Sequence, residues 1–422
     1  MEHALLEHGS NHFLMTLLTG SVKNSHYIET KMTKSVLYKI CKSIVPCILL
    51  TLCIGFCYAF SLFIPHIAAA IGASTAAVQF TFCLNIFFLG MGAALFGPLV
   101  ERRIKVASTV SSLMLFSGLV LSGIGCIVGS IWPIYIGAGV LCGIAEGCGY
   151  VVPNKNMLLW WGKSKHKGIV MAFSIMSFGF GSAICSWLFG MLFPALGIAY
   201  TFFALAGIYL VLTGIATLMI NKPKYALAHI KKNKSTFSYI ESLKNPLFRY
   251  AWLFMFFNIS MGLILIGTCA SLLSAAGIAG SMLIFTMAMC GIFNGGGRLV
   301  FPWISDYLKN RSKIWLLVAG LEVLFVAIAL CWTPFVPFAI VLINATYGAA
   351  FATLPSILES KYGKSNLSQI HGFCLTSWGM ASLFAYLCTR LVFGYLNGTW
   401  LLIILGIVYM LNMYIAKKVL EK

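Results

Sequence analysis

Apolar residues in this chain come in unbroken runs of about 20, separated by short polar connectors, rather than alternating or recurring on one helix face. A run of that length crosses the roughly 30 Å of bilayer hydrocarbon as an α-helix. Six runs fall at 44–67, 76–96, 106–128, 134–152, 168–193 and 198–220, and six more at 250–273, 282–304, 314–332, 335–358, 370–393 and 400–415. The pattern predicts an all-α polytopic membrane protein with twelve transmembrane helices, most of its breaks marked by Gly or Pro. A polar, basic linker at 221–249 separates a 44–220 half from a 250–415 half. The tail at 1–43 reads as disordered and cytoplasmic, and a second cytoplasmic tail covers 416–422.

Composition agrees: 60% of residues are hydrophobic, 9% are charged and mean hydropathy is +0.93, which excludes a water-soluble globular chain. The net charge of +19 would suggest nucleic acid if the charges formed a patch. Instead, every Lys and Arg except Arg298 and Arg390 lies in a tail or in a connector that follows an even-numbered run. That one-sided distribution is a topology signal: it places both termini in the cytoplasm, in the inner or plasma membrane, and removes nucleic acid as a partner. The first run is long and a second follows at once, unlike a cleavable signal peptide, so the N-terminus is expected to stay attached. The fourteen Cys lie almost entirely inside the runs, without zinc-finger spacing. They read as packing residues, and neither metal nor cofactor is expected.

The two halves share local patterns. Gly97-Pro98-Leu99-Val100-Glu101-Arg102 ends the second run, and Pro302-Trp303-Ile304-Ser305-Asp306 ends the eighth. Ser177-Phe178-Gly179 in the fifth run matches Ser377-Trp378-Gly379 in the eleventh. Such repeats predict two six-helix bundles around a central site. Glu101 with Arg102, and Asp306 at the corresponding corner, are candidates for a charge-paired gate holding helix ends together.

These corners and the six-plus-six arrangement resemble the major facilitator superfamily. More specific stretches are similar to its oxalate:formate antiporter family: Gly55 and Tyr58-Ala59-Phe60-Ser61, Gly147-Cys148-Gly149-Tyr150, Asn294-Gly295-Gly296-Gly297-Arg298, Thr346-Tyr347-Gly348 and Thr376-Ser377-Trp378-Gly379. The resemblance implies the major facilitator fold and transport of small carboxylates, held in that family between an Arg of helix 8 and a Lys of helix 11 among aromatic walls. Arg298 matches the Arg and Tyr58 and Tyr347 match aromatic positions, but Trp378 stands where the Lys would be. Pro302 stands where the family's helix-8 corner usually has Gly.

Intramembrane polar residues supply the candidate chemistry. A guanidinium pairs bidentately with a carboxylate and is costly in lipid unless it faces a cavity or an acid, so Arg298 is the candidate anion clamp, with snorkelling as the alternative. Glu146, beside the Gly139-Gly143-Gly147 stripe, is suited to carry a coupled proton or to pair with a base. Glu322 reads as a structural pair. His371, seven residues before Trp378 and so on the same helix face, is a candidate replacement for the second cation. Asn344 shares a face with Tyr347 and points to a cavity, whereas Asn85, Asn258 and Asn294 read first as interhelical hydrogen-bonders. Arg390 reads as snorkelling to the outer surface.

The sequence is thus read as a secondary active transporter moving a small organic anion, a monocarboxylate or short dicarboxylate, by alternating access, as proton symport or anion exchange. Its expected site residues are Arg298, Tyr58, Tyr347, Trp378, Asn344 and His371 for substrate, and Glu146, Glu101, Arg102 and Asp306 for coupling or gating. Protons and the bilayer are the other expected partners; the sequence sets no oligomeric state, and a monomer is plausible. Two alternatives share the fold: an exporter of drugs or amphipathic compounds, with Glu146 as its main charge, and a non-transporting membrane sensor. An enzyme is not expected, because Glu146 and Glu322 are the acids well inside the runs and no clustered His, Asp or Lys accompanies them.

Overall fold

The computed structural model describes residues 26–162, 164, 167–223, 238–278, 280–363, 366–393 and 398–421. The first 25 residues of the tail and positions 224–237 of the linker lie outside these. Among the described residues the chain is helical, without strands.

Helix α1 runs through His26–Ile54, a tighter turn at Gly55–Ala59, and Phe60–Ile71, so helix begins well inside the stretch read as tail. Next come α2 (Thr75–Arg102), α3 (Ile104–Val128) and α4, which joins Ile131–Ile134, a wide turn at Tyr135–Leu141, and Cys142–Trp161. Helices α5 and α6 form one helical stretch, Lys167–Met219, bent where Pro194 withholds an N–H and Gly197 adopts φ 72°. After the short linker helix Tyr239–Lys244, the second half contains α7 (Pro246–Ala275), α8 (Gly280–Asp306), α9 (Lys313–Cys331), α10 (Val336–Tyr362), α11 (Leu367–Cys374, Thr376–Cys388 and Thr389–Phe393) and α12 (Gly398–Glu421). Nine helices among the described residues are long and apolar enough to cross a membrane; one of these, Val170–Met219, contains both α5 and α6. With α8 and the interrupted α11, they make the twelve spans read from the sequence. Helices α2 and α8 continue past the expected 96 and 304, so Glu101 and Asp306 occupy last helical turns.

Exposed apolar side chains such as Leu95, Val211, Leu218, Phe338 and Leu391 form a surface that only lipid suits. Exposed Trp132, Tyr200, Trp332 and Trp400 lie near the helix ends on one side, and Trp303, Tyr307 and Tyr414 near the basic side, as interfacial aromatics do.

The internal repeat is geometric as well as sequential. A Cβ on Gly92 of α2 would lie 2.7 Å from the backbone of Ile144 in α4, and one on Gly297 of α8 would lie 1.9 Å from the Ala345 carbonyl oxygen in α10. In return, Gly147 of α4 abuts Leu89, and Gly348 of α10 abuts Asn294. The pairs Gly92 and Gly297, Leu89 and Asn294, and Glu101 and Asp306 are each 205 residues apart. Each bundle is therefore built on the same backbone contact between its second and fourth helices. The bundles meet along two seams, α2 against α11 and α5 against α8.

Candidate substrate site

Arg298 sits where the α5–α8 seam reaches the middle of the fold. It is 0% exposed, which rules out snorkelling. Its Nε donates to Asn294 Oδ1 one turn earlier on α8 (3.0 Å), and its Nη1 donates across the seam to the Ile175 carbonyl of α5 (3.4 Å). The guanidinium carbon lies 5.6 Å from the Phe178 ring of α5 and 5.5 Å from the Phe351 ring of α10. One aromatic face from each bundle thus flanks the cation, an arrangement that stabilises a desolvated guanidinium. The position equivalent to Arg298 in the first half is Ala93, so the twofold repeat does not duplicate the charge.

Around it stands an aromatic cluster drawn from both bundles. Tyr58 (α1) and Tyr150 (α4) both meet Phe178, with ring centroids 5.3 and 5.5 Å away. Trp378 (α11) meets Phe351 at 4.4 Å, Tyr150 at 5.6 Å and Tyr58 at 6.4 Å. The Tyr347 hydroxyl (α10) approaches that of Tyr58 across the seam. His371 lies 6.1 Å from the Tyr150 ring, so Tyr150 stands between His371 and Trp378. Those two do not share one continuous helix face, because α11 is interrupted at Leu375 between them.

Polar atoms here are buried and unsatisfied. Arg298 Nη2, the hydroxyls of Tyr58, Tyr150 and Tyr347, Trp378 Nε1 and both His371 nitrogens lack a hydrogen-bond partner among the described residues. Each buried group left unmade costs about 1–3 kcal/mol, so such a concentration in one spot makes it the candidate place for a polar ligand.

Other expected residues divide differently. Glu146 is buried within the first bundle, accepts from Asn85 at 3.3 Å and lies beside the Cys57 thiol, one residue from Tyr58. Glu322 accepts from Asn258 at 2.7 Å inside the second bundle, the structural pair read from the sequence. Asn294 positions Arg298 on its own helix instead of bridging helices. Asn344 donates to the Ile340 carbonyl of its own helix (2.9 Å). Tyr150, Phe178 and Phe351 were missed as site residues, because an aromatic in an apolar run has no mark distinguishing centre from lipid face; the Tyr150 and Phe178 positions stood only within the motifs.

At the basic side, Glu101 pairs with Lys155 of α4 rather than with adjacent Arg102, whose side chain is exposed. The second Glu101 oxygen accepts the Ser368 N–H at the start of α11 (3.3 Å), linking the bundles. Lys222 donates to the Arg102 carbonyl (3.0 Å); burial, then neighbouring Lys155, holds its ammonium below the ordinary lysine range, with Glu101 opposing. Asp306 pairs with Arg311 at 2.7 Å in the adjoining connector. The two corners therefore share a chemistry: each acid pairs with a base of its own half, and Glu101 in addition spans the seam.

The family model of the Major Facilitator Superfamily matches residues 47–386. The chain belongs to that superfamily. Among curated major facilitator proteins, it is 27% identical over 349 residues to the uncharacterized MFS-type transporter YhjX of Escherichia coli (strain K12), covering 78% of this chain and 82% of that one. It is 24% identical over 339 residues to the oxalate:formate antiporter of Oxalobacter formigenes, covering 78% and 79%. Among solved structures, its fold is similar to the proton:xylose symporter XylE (TM-score 0.69, 12% identity, 90% and 95% of the two chains). A bacterial homologue of the iron transporter ferroportin in an outward-facing state is equally similar (TM-score 0.69, 11% identity, 89% and 99%). The chain is accordingly an integral, multi-pass transporter of the alternating-access type with twelve helices in two bundles.

Proposed function

We propose that this major facilitator protein carries a small organic anion, with Arg298 as the clamp for its carboxylate. The observation that carries the reading is the wholly buried guanidinium at the seam, held by one residue of its own helix and one carbonyl of the opposite bundle, with Nη2 lacking a partner among the described residues. Low local dielectric strengthens its attraction for an anion, and Tyr58, Tyr150, Tyr347 and Trp378 offer hydrogen-bond donors to the remaining ligand atoms. Similarity to an oxalate:formate antiporter supports an anionic substrate class. With Trp378 in place of a second cation, a monocarboxylate is the better match than a dianion, which would need a proton carried with it or on His371.

Alternating access follows from ligation by both bundles. Tyr58 and Tyr150 come from the first, Arg298, Tyr347 and Trp378 from the second, so a bound anion accepting from both sets draws them together, and parting the Glu101–Ser368 contact opens the path toward the basic side. That side is the cytoplasmic one by the charge distribution. Glu146, next to Cys57 and Tyr58, is the candidate proton carrier if uptake is coupled; exchange of one anion for another needs no such group.

The test is ligand-dependent thermal stabilisation of the purified protein by formate, acetate, lactate, pyruvate, oxalate, malonate and succinate, followed by counterflow in proteoliposomes. Stabilisation by a monocarboxylate that disappears in Arg298→Ala is the expected result. Silence toward every acid, with efflux of cationic dyes dependent on Glu146, would replace this reading by the exporter.

A further inference from the structure

Outside both seams, α9 and α12 leave a groove of about 470 Å³ between them, lined by α9 from Leu316 to Leu324, with Leu420 of α12 opposite and Lys313 at the mouth. Leu317 and Leu324 are exposed, so the groove opens to the bilayer. Its α9 residues lie 3, 4, 7, 8 and 11 positions after Lys313, which is one helix face. Eleven residues of helix rise amount to roughly 16 Å, about half of the roughly 30 Å hydrocarbon thickness. The groove thus has the depth of one leaflet, starting from the basic side. Its floor is open at Gly320, where a Cβ would meet no atom within 4 Å.

One lysine lines the mouth and a second stands one helical turn from Leu420. Lys313 is exposed in the first turn of α9, and Lys417 is exposed three residues before Leu420, on the same face of α12. Of the acids, Glu421 pairs with Lys418 at 2.8 Å and Asp306 with Arg311 at 2.7 Å. We propose that this groove binds an anionic phospholipid of the basic-side leaflet, one acyl chain lying along the leucines and the phosphate against Lys313 and Lys417. Charge complementarity selects the headgroup, since basic pockets between transmembrane helices on that side suit acidic lipids, whereas a zwitterionic lipid of the same chains gains only the apolar contact.

The test uses the purified full-length chain in neutral detergent, with phosphatidylglycerol or phosphatidylcholine of identical acyl chains added, and reads the shift in Tm. Phosphatidylglycerol should raise Tm more than phosphatidylcholine. Gly320→Phe, placed where a Cβ has open space, should keep its lipid-free Tm and lose the phosphatidylglycerol shift. The double variant Lys313→Gln/Lys417→Gln should lose the headgroup preference, while Lys309→Gln and Arg298→Ala retain it. Equal shifts by both lipids on the unaltered chain, or an undiminished phosphatidylglycerol preference in either the Gly320 or the double lysine variant, would overturn the proposal.

Discussion

Arg298 is a charge without a charged partner among the described residues, and its surroundings favour Arg over Lys. The guanidinium plane is flanked by Phe178 and Phe351 and is anchored through Nε and Nη1 with Nη2 left over. Arg298→Lys keeps the charge but loses the fork, so anion affinity should fall tenfold or more, about 1.4 kcal/mol, when measured by titration of Tm or of tracer binding. Tyr150 allows a finer test. Tyr150→Phe deletes one unpartnered hydroxyl and keeps the ring contacts with Phe178 and Trp378. Unliganded stability should hold or rise, while substrate affinity drops by the value of one hydrogen bond, about 0.5–1.5 kcal/mol; loss of stability without loss of affinity would make the hydroxyl structural. Arg298 was legible in the sequence because a lone guanidinium in an apolar run is conspicuous. Tyr150, Phe178 and Phe351 were not, since only the fold tells a central aromatic from a lipid-facing one.

At the level of the helix, the site coincides with departures from regular geometry. Tyr58 lies in the tightened Gly55–Ala59 turn of α1, and Trp378 lies three residues beyond the interruption of α11 at Leu375. Short tight turns inside long helices are common hinges, and both here belong to helices that face the opposite bundle. Rigid regions are set by backbone approach. A Cβ on Gly147 would fall 2.0 Å from the Leu89 carbonyl oxygen, whereas Gly207 and Gly214 in α6 have no neighbour within 4 Å. Gly147→Val should therefore lower Tm by an amount corresponding to at least the roughly 1–3 kcal/mol of overpacking, and Gly214→Val should change it little, as thermal unfolding of the two variants would show. Run length made the twelve helices readable; the wide turn in α4, the tight turn in α1 and the break in α11 arise from packing, and apolar composition carries no trace of them.

On the scale of the whole molecule, the Glu101 carboxylate joins α2, α4 and the start of α11, and so ties one bundle to the other at the basic side. Glu101→Gln weakens the pairing with Lys155, and the segment from Ser368 onward should then exchange its amide hydrogens faster, an opening that hydrogen–deuterium exchange would detect. Proton coupling has its own signature. If Glu146 carries the proton, uptake by the unaltered chain rises as external pH falls, and Glu146→Gln makes it indifferent to pH while counterflow persists; uptake equally pH-dependent in the variant would exclude the role. The equivalence of Glu101 and Asp306 was readable from their repeated corners, but the Glu101 contact with Ser368 was not, because sequence position does not reveal which groups meet across the seam.

By itself the sequence determined the solvent, the number of spans, the side on which the charge accumulates and the presence of a guanidinium within the eighth apolar run, since each follows from local composition and the thickness of a bilayer. Tertiary structure decided the rest: that Asn294 aims Arg298, that Lys155 rather than Arg102 answers Glu101, and that aromatics from five helices converge on one point. Those relations join residues up to hundreds of positions apart, and only the packing of the helices against one another selects them.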